Sequence, residues 1–254
     1  MTTNKNTNTN TAAPAATAPG AATPTVTLVT GANKGLGFET ARRLVAAGHT
    51  VYVGARTEEN AVRAAKELGA RPLLIDVTDD ASVRAAAEQV AAEAGGLDVL
   101  VNNAGIPGNH KPAAEVTADA VAHVLATNTV GPVRVLHAFL PLLLRSAKGV
   151  VVNVGSGLGS FGRVHETERV ESGIIAPAYT ASKAALSMLT VQYAKAFPEL
   201  RVNVVDPGYT ATDLNGFSGP QTIEEGAAPI VRAALLDADG PTGAFFDGAG
   251  VCPW

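Results

Sequence analysis

A single cysteine, Cys252, is all the thiol chemistry in this chain of 254 residues. It cannot close an internal disulfide, which points to a reducing, cytoplasmic compartment and to a packed or surface thiol. Clustered positive charge is also missing. The formal net charge is −4, and no basic stretch suggests a nucleic acid or an anionic membrane surface as partner. No apolar run reaches the ~18 residues of a membrane-spanning helix. The longest, around residues 133–144, is broken by Arg134, His137 and Pro141. His, Cys, Asp and Glu do not recur at metal-ligand spacing, so no catalytic metal is expected. Apart from Met1, residues 1–24 are Thr, Asn, Ala, Pro and Gly with one lysine, Lys5. They lack the apolar core of a secretory signal and cannot bury enough surface to offset ordering entropy. They read as a flexible tail whose deletion leaves the rest intact, with one domain over residues 25–254.

What is present is an alternation of strands and helices. Strands are expected at 25–30, 51–54, 72–75, 97–101, 150–154, 202–205 and 244–246. Helices are expected at 35–47, 58–68, 79–93, 117–126, 130–145, 177–197 and 223–236. Most of the strands are apolar throughout, and apolar strands alternating with helices mean a mostly parallel sheet covered on both faces, a doubly wound α/β fold.

Between the first strand and first helix lies Thr30-Gly-Ala-Asn-Lys-Gly-Leu-Gly37. Gly31, Gly35 and Gly37 allow a tight turn and a close backbone approach, and they set a pyrophosphate at a helix N-terminus. The second strand ends in Gly54-Ala55-Arg56, without the acid that accepts from a ribose 2′-hydroxyl in NAD-selective sites. Arg56 and Lys34 instead offer two cations where a 2′-phosphate would lie, which favours NADP over NAD. Glu58 and Glu59 follow closely and oppose that reading. Asp76 ends the third strand, placed either to accept from an adenine amino group or to cap the next helix. Asn102-Asn-Ala-Gly105 ends the fourth. Further on, Tyr179 and Lys183 stand four residues apart in a helical segment, so both leave one face. A cation near the phenol is expected to lower its pKa by roughly 1–3 units, suiting it to proton transfer.

Taken in order, the T-G-A-N-K-G-L-G loop, N-N-A-G from Asn102, Asn128, Ser156, Tyr179 with Lys183, and Asp206-Pro-Gly-Tyr-Thr-Ala-Thr212 resemble the classical short-chain dehydrogenase/reductases. The resemblance runs from Thr25 to about Phe246. The glycine loop looks most like the carbonyl-reductase-like members, which tend to use NADP. It implies a Rossmann-type fold with seven strands and NADP(H) as cofactor. Contacts to that cofactor are implied at Gly31, Asn33, Lys34, Gly35, Leu36, Gly37, Arg56, Asp76, Val77, Asn103, Ala104 and Gly105, and again at Tyr179, Lys183, Pro207, Gly208, Thr210 and Thr212. It makes Tyr179 the proton donor and Lys183 its modulator and a ligand of the nicotinamide ribose. Ser156 then orients the substrate oxygen and Asn128 links Lys183 to a proton relay.

The implied reaction is hydride transfer between nicotinamide and a small carbonyl or alcohol. An epimerase or dehydratase on the same scaffold, and a silent NADP-binding module, are the alternatives. Ile106, Pro107, Leu158, Phe161, Tyr209 and Phe217 are expected to wall a hydrophobic substrate pocket. The family commonly assembles through the helices near 130–145 and 177–197, giving a homo-oligomer, a dimer or a tetramer. Here Ser156 and Tyr179 are 23 residues apart, more than is typical. The extra stretch, 162–174, holds His165, Glu166, Glu168, Arg169 and Glu171. It reads as a surface loop near the site mouth that can block subunit packing and so leave a monomer, with His165 a solvated loop residue.

Overall fold

The computed structural model describes Met1, residues 24–108 and residues 111–254. Apart from Met1 and Pro24, the expected tail lies outside the described residues. The chain alternates β1 (Val26–Val29), α1 (Gly35–Ala46), β2 (Thr50–Ala55), α2 (Glu58–Leu68), β3 (Arg71–Leu74), α3 (Asp80–Ala94) and β4 (Val99–Asn102). It continues through α4 (Ala118–Leu125), α5 (Gly131–Leu143), β5 (Val150–Val154), α6 (Phe161–His165), α7 (Pro177–Ala196), β6 (Arg201–Val205), α8 (Ile223–Ala234) and β7 (Phe245–Phe246). The seven strands form one sheet in the order β3-β2-β1-β4-β5-β6-β7. Every pairing is parallel, with Leu28 opposite Tyr52 on one side and Leu100 on the other.

Strand periodicity sorts the core. Leu28, Tyr52, Leu100, Val151 and Val202 face one side, against Val83 and Val90 of α3 and Val135 and Phe139 of α5. Val29, Val53, Val101, Val152 and Val205 face the other, against Leu44 of α1, Ala64 of α2 and Ile230 of α8. Burial on both faces explains why the strands read as unbroken apolar runs rather than as alternations. Among the described residues, no helix is long and apolar enough to cross a membrane.

Two expectations change. The gap between the helices at 117–126 and 130–145 is filled by a π-helical turn, Ala126–Val130, which joins α4 to α5 and carries Asn128. The stretch 162–174 is not a surface loop throughout. It contains α6 and a 3₁₀ turn at Val170–Gly173, and it buries Arg163 and Glu171. Charged side chains enter the interior here because they meet one another there.

Candidate active site

The strand order reverses between β1 and β4, and the carboxyl ends of the strands open there into a crevice, the usual ligand position in a doubly wound sheet. A cleft of about 590 Å³ lies along that edge. At one end it is lined by Gly31, Asn33–Gly37, Arg56, Asp76 and Val77, and at the other by Ser156, Tyr179, Lys183, Pro207, Gly208, Thr210 and Thr212. Asn103, Ala104 and Gly105 lie between.

The glycine loop is shaped from both sides. Gly31 has φ +62° and Gly35 φ +58°, conformations that L side chains rarely adopt. A Cβ on Gly37 would lie 2.4 Å from Asn103 Nδ2 and 2.6 Å from Gly31 O. Asn103 Nδ2 donates to Thr30 O (2.9 Å) and Gly31 O (3.1 Å), so this amide ties the β4 end to the loop. Comparison with the other helix starts makes the ligand case, α5 and α7 being uncapped too but opening with a proline that removes one of the free N–H groups. α2, α3, α4 and α8 are capped by Thr57, Asp79, Thr117 and Thr222. α1 has no side-chain cap and no acid in its first turn. Its first N–H groups and positive dipole end therefore suit an anion such as a pyrophosphate.

At the adenosine end, Asp76 Oδ1 accepts from Thr78 N (2.9 Å) and Thr78 Oγ1 (2.7 Å), while Asp79 caps α3. Burial works to raise the Asp76 pKa, but the Thr78 bonds and the charges of Arg56 and Arg134 prevail and hold it below its ordinary value. Exposed Arg56 lines the cleft, whereas Glu58 and Glu59 turn into the first turn of α2. Lys34 Nζ pairs with Asp213 Oδ2 across the cleft mouth at 3.1 Å.

At the other end, α7 carries Tyr179 and Lys183 on one face, with Lys183 Nζ 5.6 Å from the phenol ring centroid. The ammonium is buried and donates to Val154 O at 2.7 Å. Asn128 Oδ1 accepts from Ile106 N (2.8 Å), and its Nδ2 donates to Ile106 O (2.9 Å) and Ser182 Oγ (3.0 Å). Ser182 Oγ in turn donates to Tyr179 O at 2.7 Å. The π turn thus aims one amide at both the β4 loop and α7. Gly105 sits within reach of both groups, since a Cβ there would lie 3.4 Å from Asn128 Oδ1 and 3.8 Å from Lys183 Nζ.

The phenol departs from expectation. Burial, reinforced by the Asp206 carboxylate, pushes the Tyr179 pKa up to about 12 against a hydrogen bond with Ser156. Burial lowers Lys183 to about 8, with Asp206 opposing. Desolvation outweighs the attraction of a cation over the ring face. At neutral pH the phenol holds its proton and the lysine is still mostly charged.

The substrate wall is partly as expected. Ile106, Pro107, Leu158 and Tyr209 line the cleft. Phe161 and Phe217 do not, pointing instead to solvent at 72% and 60% exposure. Val170 and Ile174 of the inserted stretch and Ile175 just beyond it take their place beside Leu214. Their apolar character was the available signal, masked by the charges around them. Among the described residues, no group of three or more His, Cys, Asp or Glu could hold a metal ion.

Comparison with known proteins agrees with this geometry. The family model for short chain dehydrogenases matches residues 25–222. A short-chain dehydrogenase of Penicillium roqueforti, anuI, is 39% identical over 228 residues, 84% of this chain and 90% of that protein. The (+)-neomenthol dehydrogenase of Arabidopsis thaliana is 34% identical, covering 88% of this chain and 96% of that one. Among solved structures, an NADPH-bound carbonyl reductase from chicken fatty liver superposes with a TM-score of 0.80 at 28% identity, covering 91% of this chain and 99% of the other.

Proposed function

This chain belongs to the short-chain dehydrogenase family and is an NAD(P)-dependent oxidoreductase of carbonyl and alcohol groups; we propose that its cofactor is NADP(H) and that it reduces a small hydrophobic ketone or aldehyde, or runs the reverse oxidation. The observation that carries this reading is the single cleft joining an uncapped helix start to a protonated phenol. The α1 N-terminus would take the pyrophosphate, and Arg56, with Lys34, the 2′-phosphate. Bound NADPH supplies the hydride. Tyr179 gives its proton to the carbonyl oxygen, Ser156 donates to the same oxygen to orient it, and Lys183 holds the ribose hydroxyls. Asn128 fixes the backbone at Ile106 beside them. The apolar wall of Ile106, Leu158, Ile174 and Ile175 favours an alicyclic or aromatic carbonyl compound over a sugar.

Initial rates of nicotinamide oxidation over a panel of cyclic ketones and aromatic aldehydes test this directly. NADPH is expected to support turnover with kcat/KM well above that with NADH. Tyr179→Phe should lower kcat by about 10²–10⁴-fold with little change in NADPH affinity, since only the acid is removed. Equal use of both cofactors would overturn the assignment of Arg56 and Lys34. Near-wild-type turnover in the phenylalanine variant would overturn the role of Tyr179.

A further inference from the structure

Arg163 has no place in the chemistry described above, yet it is among the most enclosed charges in the molecule, its side chain only 6% exposed. It sits on α6, in the inserted stretch. Its Nη1 donates to Asp206 Oδ2 at 2.7 Å. Its Nη2 donates to Asp247 Oδ2 at 2.5 Å and approaches Cys252 Sγ at 2.7 Å. Glu171 Oε1 lies 3.9 Å from Nη1, and the guanidinium stands 5.8 Å above the Phe245 ring centroid. One cation therefore bonds two carboxylates from separate parts of the chain and stands near a third, Glu171, whose closer partner is Arg169 Nη2 at 2.8 Å. α6 itself is held by the last residues, with Ser160 Oγ donating to Pro253 O (2.8 Å) and Gly162 N to Trp254 O (2.9 Å).

The arrangement leads into the cleft. Asp206 is buried, and its other oxygen, Oδ1, accepts from Gly208 N at 2.9 Å. Gly208 takes φ +75°, and a Cβ there would come within 2.1 Å of Gln221 Oε1. The Pro207-Gly208 turn thus takes a backbone shape suited to glycine, and the Asp206 carboxylate closes it through the Gly208 N–H. Asp206, Pro207, Gly208 and Glu171 all line the cleft beside Tyr179. Without Arg163, Glu171 would keep Arg169, but Asp206 and Asp247 would lose the cation they share, and buried Asp206 would be driven from its position by like charge and desolvation.

We propose that Arg163 is a positioning residue for the nicotinamide end of the cleft, acting through Asp206 on the Pro207-Gly208 turn. The proposal rests on the NADP(H) reading above. It makes the insertion part of the active site's support: α6 and the final residues brace the guanidinium, and the guanidinium holds the turn. A forked donor is required, because the bonds to Asp206 and Asp247 leave from different nitrogens at fixed spacing.

The test separates the two ends of the cofactor. NADPH engages the whole cleft, whereas 2′,5′-ADP lacks the nicotinamide half. Calorimetric titration of both into wild type, Arg163→Lys and Arg163→Met, well below their melting temperatures, should show NADPH binding weakened about tenfold or more. 2′,5′-ADP binding should stay within about twofold, and kcat should fall by about 10–100-fold, as expected for a small misplacement at the reacting end. If Arg163→Met does not fold, Arg163→Lys carries the comparison, since it keeps the charge and loses the fork. Adding Asp206→Asn to Arg163→Met removes the unpaired carboxylate and should restore stability but not NADPH affinity. Equal weakening of both probes, or unchanged NADPH affinity and kcat in a folded variant, would overturn the proposal. If wild type binds 2′,5′-ADP no better than 5′-AMP, the NADP reading fails separately, and NADH with 5′-AMP then serves as the probe pair with the same outcomes.

Discussion

Lys183 carries its charge in a place that penalises one. Its ammonium is buried, with Val154 O as its acceptor, and desolvation brings its pKa down to about 8 from 10.5. Because the folded value lies below the unfolded one, the folded state binds fewer protons between pH 8 and 10.5. Stability from this group therefore rises with pH across that window, and below pH 8 the full cost is present. A shift of this size corresponds to about 3 kcal/mol, against which stands the roughly 1–3 kcal/mol cost of leaving a buried carbonyl unpaired. Lys183→Met in the cofactor-free protein should consequently gain melting temperature at pH 7, and the gain should shrink or reverse by pH 10. Thermal melts of both proteins at the two pH values decide it, and a difference independent of pH would show that the ammonium is not penalised. The same residue carries the proposed catalytic role, so stability and activity pull in opposite directions here.

At the scale of elements, the placement of the α7 face that carries Tyr179 and Lys183 depends on how closely the 3₁₀ turn at Gly157–Gly159 can approach it. A Cβ on Gly159 would lie 2.7 Å from the carbonyl carbon of Lys183 and 2.8 Å from its Cβ. Gly159→Val would therefore push α7 away from the β5 end and carry Lys183 and Tyr179 with it. A destabilisation of about 1–3 kcal/mol is expected from overpacking, with a fall in kcat larger than the lost stability explains. Comparing circular-dichroism melts with turnover at a temperature where the variant is fully folded checks this, and full activity in the folded variant would show that the close contact does not matter. Elements of this kind mark the limit of what the sequence discloses. The strands, the helices bounded by Thr, Asp and Pro, and the glycine loop are legible because local pattern determines them. That Tyr179, Lys183, Ser156 and Arg56 line one cleft follows the order in which spacing and family resemblance set them. The π turn at Asn128 is not legible, since its extra residue leaves no mark on helical periodicity. Arg163 is not either: an arginine among glutamates reads as solvated surface until the fold brings Asp206 and Asp247 to it. The lowered phenol pKa expected from Tyr179 and Lys183 alone fails for the same reason, because burial is a property of the fold.

For the whole molecule, the apolar content of the helices is largely spent on the core. In α5, Val135, Leu136, Phe139, Leu142 and Leu143 are all buried against the sheet or α3. Across α5, α7 and their flanking residues, the large apolar side chains exposed among the described residues are Val130, Leu144 and Met188. A stable interface buries about 1,000 Å² or more around a desolvated apolar centre, and three separate side chains do not supply that centre. The inserted stretch exposes charge at Glu166 and Glu168 and apolar side chains at Val170 and Ile174, but the two apolar residues line the cleft, and the net charge of −4 opposes self-association further. The expectation is a monomer, in contrast to the assembly that family resemblance alone suggests. Small-angle scattering or sedimentation across micromolar concentrations should return the mass of one chain throughout. A mass of two or four chains would mean that these helices associate through small and polar side chains, and Met188→Glu should then break the assembly if α7 is its seat.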